Sequence, residues 1–306
     1  MNRVGLAAVA VLLAVGTAPA AAQPSQVSPG AVDIGNGRTL FLNCQGNPST
    51  QPGTPTVFVI PGMGSYAEAW NYVVAQGDPT WSSPYDDIEA AELVPSVDAA
   101  QPRIARTTRV CVYDRPDTRT DGEQRSTPVP QPHHIQQDVD DVVALVAAAG
   151  LPGPLVFVGH SYGGLILDLL ARQHPGLVAG LVFAEPTSEF LPRLGSPAQN
   201  DAFYADGLDR GPGAESVWFD EAFDVVGAAP PLPRVPALVL SADRFPPPER
   251  LTPDNYTQAQ VHQANDMLAA ALGTTNVVVP DSGHNLMLYQ PQAVADVVDG
   301  IVAQVR

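Results

Sequence analysis

Lysine is absent from this chain. All 15 basic residues are arginine, and they face 32 aspartates and glutamates, for a formal net charge of −17. A chain so short of positive charge repels nucleic acid and anionic lipid, so neither is an expected partner. The missing lysines, beside abundant Ala, Pro and Val, match the codon usage of a GC-rich coding sequence. Long hydrophobic runs are missing too. Val4 to Val15 is unbroken apolar residue and glycine, but it falls short of the roughly 20 residues that a membrane span needs. Arg3 precedes this run and Ala18-Pro19-Ala20-Ala21-Ala22 follows it, the pattern of a secretory signal peptide cut between Ala22 and Gln23. Residues 1–22 are therefore set apart from the fold. Export is expected, to the medium or to a periplasm, with no stable membrane insertion after cleavage. No cysteine stands directly after the cleavage region, where Gln23 lies, which argues against a lipid anchor.

Cysteine is scarce as well, with Cys44 and Cys111 alone. An even pair in an exported chain is a disulfide candidate, two buried free thiols being the alternative. Neither lies in a nucleophile's setting. No Gly-x-Gly-x-x-Gly follows a strand, and Gly62-Met63-Gly64 lacks a third glycine at the needed spacing, so a nicotinamide or flavin enzyme is excluded. His133 and His134 have no carboxylate or third ligand at helical spacing. Neither a metal nor any other cofactor is expected.

What is present suits one large domain: 306 residues, 45% of them hydrophobic. Strand-like runs occur at 32–37, 38–45, 56–60, 110–113, 155–158, 179–184, 237–241 and 276–279. The Asn36-Gly37 turn makes a hairpin of the first two. Helical patterns begin near Tyr66 and cover 135–149, 165–173, 257–272 and 291–305. Short apolar strands alternating with helices predict an α/β fold, with a mostly parallel sheet covered on both faces. Residues 186–234 break the alternation. They are acidic, rich in Pro and Gly, and carry Phe190, Phe203, Tyr204, Trp218, Phe219 and Phe223. These aromatics line an apolar pocket or form the insertion's own core.

Between strand and helix stands Gly159-His160-Ser161-Tyr162-Gly163. Gly-x-Ser-x-Gly in that setting is the signature of a nucleophile elbow, where the serine occupies a strained turn and larger neighbours would collide with strand and helix. Ser161 is the candidate nucleophile. His284, in the loop after the last strand, is the candidate base. It belongs to the same sheet edge, at the carboxyl ends of the strands. His160 is expected to point away from the serine, and His174 and His262 to be surface residues on helices. The backbone N–H groups of Tyr162 and Met63 are the candidate oxyanion donors.

Taken together, Gly159–Gly163, Pro61-Gly62-Met63-Gly64, Tyr113-Asp114-Arg115 and Ser282-Gly283-His284 resemble the α/β-hydrolase superfamily over residues 32–305. The resemblance implies a doubly wound, mostly parallel eight-stranded sheet with a small lid at 186–234. It places the hairpin strand beside the strand at Val110, which implies a Cys44–Cys111 disulfide. It implies a Ser-His-acid triad with the acid after the sixth or the seventh strand. Glu185 resembles the haloalkane-dehalogenase-like branch, with its acid after strand six, and is preferred. Asp243 is the alternative, and Asp281 stands too near His284. Pro61 departs from the family pattern, which carries His there. A serine at the elbow excludes the dehalogenase and epoxide-hydrolase mechanisms, which need a carboxylate. The implied activity is hydrolysis of small-molecule carboxylic esters through an acyl-enzyme. Amidase, lactonase or peptidase action with the same triad stays open, as does a non-catalytic binding protein on the same fold.

Overall fold

Runs of Val, Ile, Leu and Phe bounded by glycine and proline become strands, and the apolar stripes between them become helices. The computed structural model describes residues 29–47, 53–74, 93–119, 124–211, 213–245 and 251–306. The leader and its Ala22/Gln23 cleavage site lie outside the described residues. In chain order the elements are β1 (Gly30–Gly35), β2 (Arg38–Gln45), β3 (Val57–Ile60), β4 (Tyr72–Val74), β5 (Leu93–Pro95), α1 (Ala100–Ile104) and β6 (Val110–Asp114). There follow α2 (Ile135–Ala148), β7 (Leu155–Ser161), α3 (Tyr162–Gln173), β8 (Val178–Pro186), α4 (Pro197–Leu208) and α5 (Phe219–Ala228). Last come β9 (Ala237–Ala242), α6 (Gln258–Leu272), β10 (Asn276–Val279), α7 (Leu286–Tyr289) and α8 (Pro291–Gln304).

The eight-stranded sheet has the order β1-β2-β6-β3-β7-β8-β9-β10. The pairs β1–β2 and β2–β6 are antiparallel, and the pairs from β6 to β10 are parallel. One apolar layer joins α2, α3 and α6 to the sheet, and another joins α1 and α8 to its other face. Strands buried on both faces need no alternation. β3 and β6 are accordingly buried at every position, whereas the edge strand β1 alternates half-buried with exposed residues. Among the described residues, no helix is long and apolar enough to cross a membrane.

Cys44 and Cys111 face each other in the β2–β6 register and form a disulfide, with S–S 2.07 Å and Cα atoms 4.0 Å apart. No free cysteine remains.

One expectation is corrected. The helical pattern near Tyr66 yields only a 3-10 turn at Ala67–Asn71. Tyr72, Val73 and Val74, residues suited to extended backbone, then pair with Leu93–Pro95 as a small separate sheet. The insertion at 186–234 carries α4 and α5. Ser196 starts α4 with a capping box, its side chain accepting the Gln199 N–H while the Gln199 side chain accepts the Ser196 N–H. Phe203 of α4 meets Phe219 of α5 with ring centroids 4.7 Å apart, and Phe219 meets Tyr162 edge-on at 5.5 Å. The insertion is thereby seated over the start of α3.

Candidate active site

Ser161 ends β7 with φ 52° and ψ −125°, a conformation that L-residues avoid, and α3 begins at the next residue. The flanking glycines make this turn possible. A Cβ on Gly159 would lie 2.7 Å from the Gly163 carbonyl oxygen, and one on Gly163 would lie 2.1 Å and 2.4 Å from the carbonyl oxygens of Ile60 and Pro61. Those obstacles are backbone and cannot swing aside. Gly163→Ala is therefore expected to cost more than about 3 kcal/mol in chemical denaturation. Gly176→Ala, with nothing near the added methyl, is the control and should change little.

Parallel strands side by side end on one edge, and that edge collects the candidate residues. Ser161 closes β7 and Glu185 stands near the end of β8. Asp243 follows β9, and His284 lies in the loop after β10. The join of β7 and β8 is tight here, because the Thr187 N–H donates to the Ser161 carbonyl at 2.9 Å. One cavity of about 250 Å³ is lined by Ser161, Glu185 and His284 together with Met63 and Tyr162. Pro186, Leu191, Phe203, Phe219 and Val261 form its apolar wall, and Asp206, Asp209 and Arg210 its polar one. Phe203 and Phe219 thus both line the cavity and pack against each other, so neither reading of the lid aromatics excludes the other.

The two candidate acids part company. Asp243 does not line the cavity. Its Oδ2 accepts the Asp281 N–H at 2.8 Å and its Oδ1 the Ser282 N–H at 2.9 Å, so its carboxylate caps the turn leading to His284. Glu185 is 2% exposed and accepts the Ala242 N–H at 2.8 Å. Burial pushes its carboxyl up to about 8, against the pull of that hydrogen bond. Its backbone, at φ 44°, is strained like that of Ser161. Burial, with the His160 imidazole beside it, holds His284 well below the ordinary histidine range. The imidazole is therefore neutral at pH 7 and its ring can take a proton. The buried Nδ1 of His284 makes no hydrogen bond among the described residues.

His160 is not the bystander that its place beside Ser161 suggests. Its ring lies 4.9 Å from that of His284, centroid to centroid, and its Nε2 is 3.0 Å from the His284 carbonyl oxygen. Burial pushes its pKa down to about 4, so Nε2 carries the proton and donates. His262 is half-buried rather than a surface residue, with Nε2 2.7 Å from the Ala242 carbonyl oxygen. His133 and His134 do have carboxylates near them. His133 Nδ1 is 3.1 Å from Asp138, and His134 Nδ1 is 2.6 Å from Glu221 in the insertion. No group of three or more His, Cys, Asp or Glu among the described residues could hold a metal. Asp138 also accepts the Tyr162 hydroxyl at 2.5 Å, which fixes the residue after the serine.

The sequence reading missed what holds the Pro61–Gly64 turn. Arg115 is 1% exposed and pairs with the buried Glu215 at 2.5 Å. Its Nη1 donates to the Pro61 carbonyl at 2.7 Å and its Nη2 to the Gly62 carbonyl at 2.5 Å. Glu215 accepts the Gly64 N–H at 2.7 Å. Arg115 stood in a recognisable motif. Glu215 lies between Gly/Pro-rich and aromatic residues with no periodicity, and nothing local marks it.

A family model described as "Alpha/beta hydrolase family" matches residues 56–297. The chain belongs to that family. An esterase from Thermogutta terrifontis, solved with malate bound, is 18% identical, with TM-score 0.56 over 91% of this chain and 99% of that one. Est816, described as an N-acyl homoserine lactone degrading enzyme, is 19% identical, with TM-score 0.55 over 88% of this chain and 99% of that one. These likenesses concern the fold. Among curated proteins, a probable transporter, efuK, of Hormonema carpetanum is 26% identical over 177 residues, 56% of this chain and 20% of that one. The chain spans a fifth or less of the length of the curated relatives it matches.

Proposed function

We propose that the chain is an exported serine hydrolase that cleaves carboxylic esters of small molecules through an acyl-enzyme. The observation carrying this reading is the shared cavity, in which a strained serine, a histidine kept neutral and a buried carboxyl meet. In the proposed reaction His284 takes the Ser161 hydroxyl proton as Oγ attacks the ester carbonyl. The carbonyl π electrons move to oxygen, and the N–H groups of Met63 and Tyr162 hold that oxyanion. The first turn of α3, with its dipole, supports the same negative charge. His284 then returns the proton to the departing alkoxide, leaving an acyl-serine and an alcohol. Water, deprotonated by His284, repeats the sequence and releases the acid.

Glu185 is the proposed third member. A lone carboxylate in its place is costly, as its raised pKa says. When His284 becomes imidazolium the two charges form a pair, and the cost of each falls. Asp243 is given the part of shaping the His284 loop. Export is supported by the Arg3 and Val4–Val15 leader pattern and by the Cys44–Cys111 disulfide.

The test is hydrolysis of p-nitrophenyl esters from acetate to palmitate by the chain beginning at Gln23. A cavity of about 250 Å³ suits short acyl groups. Butanoate should therefore exceed palmitate in kcat/KM by about tenfold or more. An N-acyl homoserine lactone belongs in the panel, because the same chemistry opens a lactone ring and a structural neighbour is described as degrading one. No turnover of any ester, joined to no fluorophosphonate labelling, overturns the reading in favour of a binding protein.

A further inference from the structure

Tyr113-Asp114-Arg115 takes no part in the reaction just set out, and Glu215 comes from the insertion. We propose that Arg115 and Glu215 are positioning residues for the Gly62–Met63 peptide, aiming the Met63 N–H at the oxyanion and tying that aim to the seating of the lid. The proposal rests on the hydrolase reading above.

The Gly62 carbonyl and the Met63 N–H belong to one peptide unit, and in a planar trans peptide they point in opposite directions. Arg115 Nη2 grips that carbonyl at 2.5 Å, so the plane cannot rotate without breaking the bond. Nη1 grips the preceding carbonyl, of Pro61, at 2.7 Å. On the far side of Met63 the Gly64 N–H is held by Glu215 Oε2 at 2.7 Å. Every peptide flanking the Met63 N–H is thus clamped, and among the described residues no hydrogen bond claims that N–H itself. A charged donor on the Gly62 oxygen also polarises the amide and makes its N–H a stronger donor.

The pair is built to keep its charge and place. Burial opposes the guanidinium's charge, but the Glu215 carboxylate together with Tyr113 and Asp138 outweighs it and holds Arg115 above the ordinary arginine value. Glu215 is itself sewn down. Its N–H donates to the Asp117 carbonyl at 2.8 Å, and the next N–H, of Ser216, to Gln131 Oε1 at 2.8 Å. The segment that delivers Glu215 runs directly into α5, whose Phe219 lines the cavity. A lid segment lifted from its seat would therefore release the Gly64 N–H and leave Arg115 without its partner.

The test compares Arg115→Met and Glu215→Gln with wild type, using p-nitrophenyl butanoate and an alkyl boronic acid that forms a tetrahedral adduct with a serine nucleophile. Misaiming one oxyanion donor should lower kcat by about 100-fold for Arg115→Met and about tenfold for Glu215→Gln. KM should stay within about threefold, and boronate affinity should weaken by the same factor as kcat/KM. A merely structural pair would lower stability and the active fraction but leave the boronate affinity of that fraction unchanged. Unchanged boronate affinity, or a loss confined to KM, therefore overturns the proposal. Arg115→Met leaves a buried carboxylate unpaired and its folding is at risk. The isosteric Glu215→Gln decides the matter where Arg115→Met does not fold. Wild type that hydrolyses no ester overturns the hydrolase reading, and the positioning role with it. Wild type that turns over while Glu215→Gln behaves identically overturns the positioning role alone.

Discussion

Ser161→Ala is expected to abolish labelling by a fluorophosphonate and to lower kcat on p-nitrophenyl butanoate by on the order of 10⁴- to 10⁶-fold, the cost of losing a nucleophile that acts as a unit with its base. The residual rate should exceed that of buffer, because the proposed oxyanion donors would remain. Stability should change by less than about 1 kcal/mol, since the substitution removes one half-buried hydroxyl and leaves the methylene in place. Retention of the backbone strain at φ 52° makes Ala the right choice. Glycine would relax the turn and confound the result. Intact labelling in Ser161→Ala would mean that another residue is the nucleophile. It would also empty the argument from the elbow, because the glycines around Ser161 would then serve packing alone.

The elbow was legible because its demands are local. A serine at positive φ, glycines pressed against neighbouring backbone and an apolar strand leading in are all written within a few residues. The sheet was legible for a related reason, since strands buried on both faces must be continuous apolar runs. The edge that gathers Ser161, Glu185 and His284 follows from parallel strands ending together, which the alternation of elements already implies. What stayed hidden depends on pairs far apart in the chain. Glu215 meets Arg115 across 100 positions, and no property of either residue alone points to the other. His160 gave the same difficulty. Its neighbour in sequence is Ser161, but its working contact is the His284 carbonyl 124 positions away. Tyr72–Val74 was missed because a three-residue strand is shorter than any periodicity. Glu185 and Asp243 could not be separated by position. Glu185 near the end of β8 and Asp243 just after β9 reach the same edge, and their hydrogen-bond partners and their place in or out of the cavity tell them apart.

Those partners give Glu185→Gln and Asp243→Asn opposite signatures. As the proposed triad acid, Glu185 would answer the imidazolium charge of His284, whose Nδ1 no group among the described residues claims. Glu185→Gln should therefore lower kcat by about 10³- to 10⁴-fold. Asp243→Asn should lower kcat by less than about tenfold but cost about 0.5–1.5 kcal/mol of stability, because one of the two acceptors that hold the turn's N–H groups, one exposed and one half-buried, is impaired. The pH dependence adds an independent check. The proposed reaction needs Glu185 ionised and His284 neutral. Burial pushes Glu185 up to about 8 and His284 below its usual range, so the acid limb of kcat/KM belongs to the carboxyl. The rate should rise with pH through about 8, and Glu185→Gln should lose that limb.

Stability runs the other way. A carboxyl whose folded pKa exceeds its unfolded value, near 4.3, holds a proton that the unfolded chain has released. Wild type should thus lose stability as pH rises from about 4.5 to about 8. Glu185→Gln, permanently neutral, should escape up to about 5 kcal/mol of that loss. Asp168 is also pushed up to about 7 by burial and contributes a similar slope to both proteins, so the difference between them isolates Glu185. A large kcat loss in Asp243→Asn, with a flat difference curve for Glu185→Gln, would transfer the acid role to Asp243. It would also require the turn at Asp281 and Ser282 to give up its cap, freeing the Asp243 carboxylate to reach His284.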